Sequence, residues 1–556
     1  MVIDNGIISV TLSNPEGYVT GISYNGIHNI LEAENEKQNR GYLDVVWNDP
    51  GKPYSFQRIH GTKFSIITAE ENLVEVSFLR TWESSMNGTN VPINIDIRYI
   101  FRSGNSGFYS YAIFDRPKGL SATEVVQIKI VYKLEKRFNY MAIEDNMQKR
   151  MPTMRDRNKS QPLDYPEAVL LTNAGDPQFR GEVDDKYQYS IENKDNKVHG
   201  WISVDSDSPV SFWMITPSNE FRNGGPNKLD LTSHTDPITL NMFVSTHYAG
   251  QEVVMSFKEG ETYKKVFGPA FVYLNSAKTK DDSLSLWYIN GGRLQDANNA
   301  YVGLALPGDA GSWQRESKGY QFWTRTDRKG HFKIENIIPG VYNLYAWVSG
   351  FIGDYKYNTT ILITQGGVLN LNKLIYNPPR NGPTLWEIGI PDRSSVEFYV
   401  PNPYPTLLNK LYNDQPKEKF RQYGLWGRYT DLYPNNDLVY SVGVNKFNKD
   451  WFFAHVTRNV GNNTYEPSTW QIIFEHEHDI FSGNYTLQLA LASAKDSELQ
   501  VRFNNPSINP PHFTTGLIGG DNSISRHGTH GLYWLYNINV SSDHFMKGKN
   551  IIYVTT

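Results

Sequence analysis

Between Val91 and Phe101 the residues Val91, Ile93, Ile95, Ile97, Tyr99 and Phe101 fall on one side of an extended chain, with Asn94, Asp96 and Arg98 on the other. Side chains alternate across a strand with period two, so an apolar residue at every second position marks a half-buried strand. Similar runs recur at Ile8–Leu12, Phe64–Thr68, Leu73–Leu79, Val126–Leu134, Trp201–Val204, Phe212–Ile215 and Ile238–Val244. Turn-forming clusters separate them, as at Asn105-Ser106-Gly107 and Asn223-Gly224-Gly225-Pro226. Few stretches hold helical periodicity for long. The pattern predicts an all-β chain whose residues 1–268 form one large antiparallel β-sandwich.

Phe267-Gly268-Pro269 reads as the end of that unit. In the next segment, 269–376, the turn Asp327-Arg328-Lys329-Gly330 leads into a strand at His331–Ile334. A Pro339-Gly340 turn and an alternating strand through Trp347 follow. This order resembles the small fibronectin-type-III-like or prealbumin-like sandwiches and predicts a structural spacer. Asn377-Pro378-Pro379-Arg380-Asn381-Gly382-Pro383 marks a second linker. The last region, 377–556, carries short strands to Val554 and looks like a jelly-roll carbohydrate-binding module. Trp426, Arg428, Trp451, Arg526, His527 and His530 are its candidates for gripping a sugar or filling a core.

A length of 556 residues suits three or four domains. A formal charge of −4 sets up no global basic field for nucleic acid or an anionic membrane, and no apolar run approaches a membrane span. A polyanionic substrate therefore has to meet a local basic patch. The complete lack of cysteine removes disulfides, thiolate metal sites and cysteine nucleophiles. The start, Met1 to Gly6, shows no basic head with an apolar stretch behind it. Sequons at Asn87, Asn158, Asn358, Asn462, Asn484 and Asn539 permit secretory passage. Neither a P-loop nor a His-Glu-x-x-His motif is present. Glu475-His476-Glu477-His478 places its two carboxylates and two imidazoles on opposite strand faces, which predicts an exposed polar strand, not a metal site.

Three stretches stand out by where their ionisable side chains fall. On Val126–Leu134 the apolar positions alternate with Gln127, Lys129, Val131 and Lys133, so two positive charges share the non-core face. In Asp185–Ser190, strand alternation puts Tyr187 and Tyr189 on one face and Lys186 on the other. On Ile238–His247 the apolar set Ile238, Leu240, Met242 and Val244 predicts a core face, with His247 opposite beside Asn241, Phe243 and Ser245. Periodicity alone is equally satisfied by a solvated polar sheet face.

At these residues the chain resembles the rhamnogalacturonan lyases of polysaccharide lyase family four, in particular the plant-type branch. The matching stretches are Lys186-Tyr187-Gln188-Tyr189-Ser190, Lys197-Val198-His199-Gly200-Trp201, Phe212-Trp213-Met214-Ile215-Thr216-Pro217, Gly224-Gly225-Pro226, Asp230-Leu231-Thr232-Ser233-His234 and Ser245-Thr246-His247-Tyr248-Ala249-Gly250. The resemblance implies a galactose-mutarotase-like lyase sandwich followed by the fibronectin-like and carbohydrate-binding-like domains. It implies a catalytic pair, Lys186 and His247, and substrate binding by Lys129, Lys133, His199 and Tyr189, with no metal and no other cofactor. The reaction implied is endo-acting β-elimination at the rhamnose-(1,4)-galacturonic acid bond of rhamnogalacturonan I, by a secreted monomer acting on pectin. Lys186 is the candidate base, Lys129 meets the uronate carboxylate and His247 assists the leaving group, the reverse roles of Lys186 and His247 staying open. The basic group Lys149, Arg150, Arg155 and Arg157 is a candidate uronate subsite. A non-catalytic pectin-binding homologue and a glycan hydrolase are the competing readings.

Overall fold

The strand expected from Val91 to Phe101 forms over Asn94–Arg102, and all six apolar side chains of its inner face are buried at 3% exposure or less. It begins late because Pro92 offers no N–H to a ladder and the Val91 N–H donates to Gln57 Oε1 instead. The computed structural model describes every residue except 35, 166, 289–299, 349, 351–352, 378–381, 413–415, 477–482 and 520–530.

Two antiparallel sheets face one another in the N-terminal sandwich. Four strands of the first sheet carry the argument: β1 (Gly41–Asn48), β2 (Ser55–Arg58), β3 (Thr123–Lys133) and β4 (Ile238–Val244). β3 lies between β1 and β4, and β2 pairs with β1 alone, as an edge. The second sheet has nine strands and includes Leu73–Arg80, Asn94–Arg102, Gly107–Arg116, Val210–Ile215 and Tyr263–Ser276. Val45, Trp47, Ile128, Ile130 and Tyr132 of the first sheet meet Phe78, Ile97, Phe108 and Phe212 of the second in one core. Each such burial contributes roughly 1.5–3 kcal/mol. Because the inner face is filled, the outer face of β1–β4 is the one left for chemistry.

The boundary expected at 268 falls inside a strand. Tyr263–Ser276 runs through Gly268-Pro269, pairing with Gly107–Arg116 on both sides of a bulge between Phe267 and Ala270. Gly and Pro interrupt a ladder without ending it when the extra residue is absorbed in this way. Leu286 and Trp287 then pack on Trp213, so the first domain reaches past 268.

The middle domain is a five-stranded sheet with Val302, Leu304, Phe322, Tyr342 and Leu344 at its core. The strand expected at His331–Ile334 is absent, although Phe332 and Ile334 still pack on that core. The last domain stacks a five-stranded sheet against the pair Asn484–Leu491 and Trp534–Ser541. Trp451 packs edge-on against Trp470, Trp426 against Tyr423 and Arg428 over Tyr404, so these three side chains make contacts within their own domain. Arg526, His527, His530, Glu477 and His478 lie outside the described residues.

Candidate active site

The outer face of the first sheet is organised in rungs. Across one rung Lys129 of β3 sits between Asp44 of β1 and Met242 of β4. Its Nζ donates to Asp44 Oδ2 and to Gln127 Oε1, both at 2.9 Å. An ammonium has three donors and no acceptor, so the amide oxygen of Gln127 must be the atom facing Lys129, and one lysine N–H is left over. The Gln127 amide nitrogen then faces His247 Nε2 at 3.3 Å. An NH2 group can only donate. His247 Nε2 therefore carries the lone pair and Nδ1 carries the proton. Nδ1 is buried with no hydrogen-bond partner among the described residues.

His247 reaches this position through a change of face that alternation does not reveal. The pairing of β3 with β4 shifts between Ile128↔Val244 and Lys129↔Met242, leaving Phe243 as the extra residue. Phe243 turns into the core against Phe221 and Phe267. Leu240 and Met242, expected in the core, lie instead on the outer face with Tyr42, Tyr187 and Tyr248. The chain then turns at Ser245–Tyr248. Tyr248 has a left-handed backbone, φ 64°, a strained setting for a bulky residue. Its hydroxyl holds it there, donating to Tyr187 O at 2.6 Å and lying 2.7 Å from Ser190 Oγ.

Lys186 comes from a third element. The stretch expected as a strand is a single 3-10 turn, Lys186–Gln188, started by Asp185, whose side chain accepts from the Tyr187 N–H at 3.1 Å. A turn does not keep period two, so Tyr187 and Tyr189 part company: Tyr187 joins the outer cluster and Tyr189 the core. Lys186 Nζ donates to Glu167 Oε1 at 2.7 Å and lies 5.2 Å from the centre of the Tyr187 ring. The His247 ring packs edge-on against that same ring at 5.6 Å. Amine and imidazole are thus separated by no more than the sum of those two distances.

The electrostatics follow from burial among cations. Burial, then Lys186, Lys228 and Lys129, hold His247 well below the usual imidazole range, so it is neutral at ordinary pH. His234 is pushed down to about 4 by burial and by Lys186. Burial raises Glu167, but the hydrogen bond from Lys186 and its charge outweigh this and leave the carboxyl lowered. Beneath them Lys228 and Asp230 form a buried pair at 2.7 Å.

Other expected contacts do not reach the cleft. Tyr189 is fully buried and donates to Asp184, and Asp184 also pairs with Arg157. His199 is 1% exposed, with its ring nitrogens 2.9 Å from Asn196 Oδ1 and 2.8 Å from Leu240 O. Neither side chain can touch a polymer outside. Lys149 pairs with Glu182 and Arg150 with Asp205, which dissolves the basic subsite expected around Arg157. Lys133 lies half-buried further along β3, near Arg58, Glu32 and Asp236. Sequence reasoning missed Asp44, Glu167 and His234 and gave Gln127 no task. Only the position of Gln127 beside Lys129 on one strand face hinted at its part.

Three family models cover most of the chain: the rhamnogalacturonate lyase family over residues 1–183, and polysaccharide lyase family 4 domain II over 297–371 and domain III over 384–556. The chain belongs to the rhamnogalacturonate lyases of polysaccharide lyase family 4. A rhamnogalacturonate lyase of Dickeya dadantii is 24% identical over 79% of this chain and 72% of its own. A probable rhamnogalacturonate lyase B of Aspergillus niger is 24% identical over 56% of this chain. The match spans 49% of that fungal protein, about half its length. A solved galactose mutarotase-like protein from Lactobacillus casei aligns with 50% of this chain and 99% of its own at 9% identity, with a TM-score of 0.26, too slight a likeness to bear on function.

Proposed function

We propose that this family member cleaves rhamnogalacturonan I within its backbone by β-elimination at the rhamnose-(1,4)-galacturonic acid bond. The observation that carries the reading is the meeting of Lys186 and His247 at the Tyr187 ring, with His247 tied through Gln127 to Lys129. Elimination removes the C5 proton of the uronate, forms the C4–C5 double bond and expels the rhamnose oxygen from C4. That proton is weakly acidic while the neighbouring carboxylate is anionic, so a cation placed at the carboxylate lowers the barrier. The spare N–H of Lys129 suits this part. Lys186, as the amine, takes the C5 proton. His247 assists the departing oxygen, which is protonated by solvent or by the ammonium formed at Lys186. A wall polymer as substrate goes with an extracellular setting and a monomer as the working form.

The double bond conjugated to a carboxylate absorbs in the ultraviolet, and hydrolysis makes no such product. Incubation with rhamnogalacturonan is expected to raise that absorbance, and Lys186→Ala and His247→Ala each to abolish it with the fold intact by circular dichroism. Binding without absorbance in the native protein would leave a pectin-binding homologue instead. The ion pair with Glu167 favours a second assignment, with Lys186 as acid and His247 as base. The pH profile separates the two. An amine base gives activity that climbs with pH. Activity that falls as pH rises reverses the roles.

A further inference from the structure

The edge strand β2 exposes side chains that nothing in the catalytic group uses. Phe56 is 77% exposed and Tyr54 is 45% exposed, both on an ordered strand or its approach. Phe56 and Arg58 are two residues apart and so share one face, about 7 Å from each other along the strand. That face is the outer one, because Arg58 pairs with Asp44, which pairs with Lys129. Phe56 pairs with Val46, which pairs with Gln127, the residue touching His247. The two exposed side chains therefore extend the catalytic rungs sideways by two strands, roughly 10 Å. Tyr54 closes the same end, its hydroxyl bonded to Gln251 in the loop that follows His247.

The charges on this strip are also distinctive. Lys129 and Lys186 each have a carboxylate partner. Arg58 and Lys133 have none within ion-pair distance among the described residues; Lys133 is lowered by burial and then by Arg58, with Glu32 and Asp236 opposing this. The Arg58 guanidinium lies 5.3 Å over the Tyr42 ring, which fixes its plane at the cleft margin. An exposed aromatic face beside an exposed guanidinium suits a ligand that is both apolar-faced and anionic.

We infer that β2 is a separate sugar-binding strip, on which Phe56 stacks against a neutral deoxysugar while Arg58 with Lys133 takes the carboxylate of an adjoining uronate. The inference rests on the rhamnogalacturonan reading: an alternating neutral and acidic chain leaving the centre at Lys129 meets the strip in continuity with the catalytic rungs. The test uses the full chain. Phe56→Ala, Arg58→Gln and the double variant are assayed on rhamnogalacturonan, and binding is measured by affinity electrophoresis in the Lys186→Ala background. Each single variant is expected to raise KM and weaken binding about five- to tenfold, with kcat at saturation falling much less. The Arg58 effect shrinks as salt is raised and the Phe56 effect does not. Both side chains are exposed, so an unchanged melting point guards against a folding defect. A native protein that neither binds nor cleaves the polymer overturns the functional reading. A native protein that cleaves it while the double variant keeps the same KM and binding overturns the strip alone.

Discussion

At the scale of single residues, the His247 imidazole is set by a neutral amide. Gln127 is held by Lys129, Lys129 by Asp44, and the chain of donors leaves only one tautomer for His247. Gln127→Glu tests this. A carboxylate in place of the amide nitrogen accepts a proton from Nε2 and favours the imidazolium, so the His247 pKa rises from its depressed position. Nitrogen-15 shifts of labelled histidine are expected to show Nδ1–H in the native protein, and Nε2–H titrating at higher pH in the variant. Turnover falls about tenfold or more. An Nε2–H tautomer in the native protein would end the argument. Lys129 was legible on the outer face because it sits on an alternating strand, whereas His247 follows a bulge that alternation does not reveal and was singled out by resemblance. Lys186 was placed in the cleft by resemblance, and its turn was misread as a strand. Asp44 and Glu167 were not legible, since a carboxylate's worth here comes from which lysine folding brings to it, and 58 acidic residues offer no pattern to choose by.

At the scale of elements, alternation located the strands well and their faces less well. β3 agrees with its alternation from Gln127 onward because its two faces differ: Ile128, Ile130 and Tyr132 go inward while Gln127, Lys129 and Lys133 go outward. Only Val126, displaced at a bulge to lie with Val46 and Val254, leaves the expected core face. β4 is inverted as far as Met242 because the positions it turns inward are polar: Thr239 and Asn241 are fully buried, and Asn241 bonds to Arg222 and Thr216. Leu240 and Met242 pack outward on Tyr187, and Phe243 enters the core at a bulge. Period two assigns the apolar set to the core and fails where a sheet buries hydrogen-bonded polar side chains inward and covers its apolar face from outside. The loop Gly224-Gly225 shows the converse, a motif whose reason is local. Gly224 has φ +80°, and a Cβ there would lie 2.1 Å from Lys228 Cδ. Lys228 is buried in its pair with Asp230 and cannot swing away. Gly224→Ala is expected to lower stability by about 2 kcal/mol or more by urea unfolding. Gly6→Ala is the control, since it shares a positive φ, +89°, with open space around it, and is expected to cost less than half as much. Equal losses at the two sites would mean that backbone strain, not the contact with Lys228, explains the glycine.

At the scale of the whole molecule, the third domain takes part in shaping the site. Its residues Asn409, Tyr412 and Arg421 reach the Lys186 turn and its flanks, an arrangement that no linker or composition signal announces because it depends on contacts more than 200 residues apart. Tyr412 joins the main core and donates to Gln188 O, and Asn409 bonds to Val183 O at 3.2 Å. Arg421, fully buried, donates to Ser190 Oγ at 2.9 Å and stacks 4.8 Å over Tyr412. Ser190 in turn contacts the Tyr248 hydroxyl, and Tyr248 adjoins His247 and bonds the backbone of Tyr187. Lys186 and His247, the proposed catalytic pair, thus hang on one network anchored from the last domain. Such a link fixes geometry, so its loss acts on the chemical step more than on binding. Arg421→Met is expected to lower kcat about tenfold with a smaller change in KM, under conditions where circular dichroism reports a folded chain. Arg421→Lys keeps the charge but loses the planar fork, and is expected to recover only part of the rate. A merely structural arginine would lower the melting point of both variants and leave kcat untouched below it, and that result would confine the third domain to a supporting role.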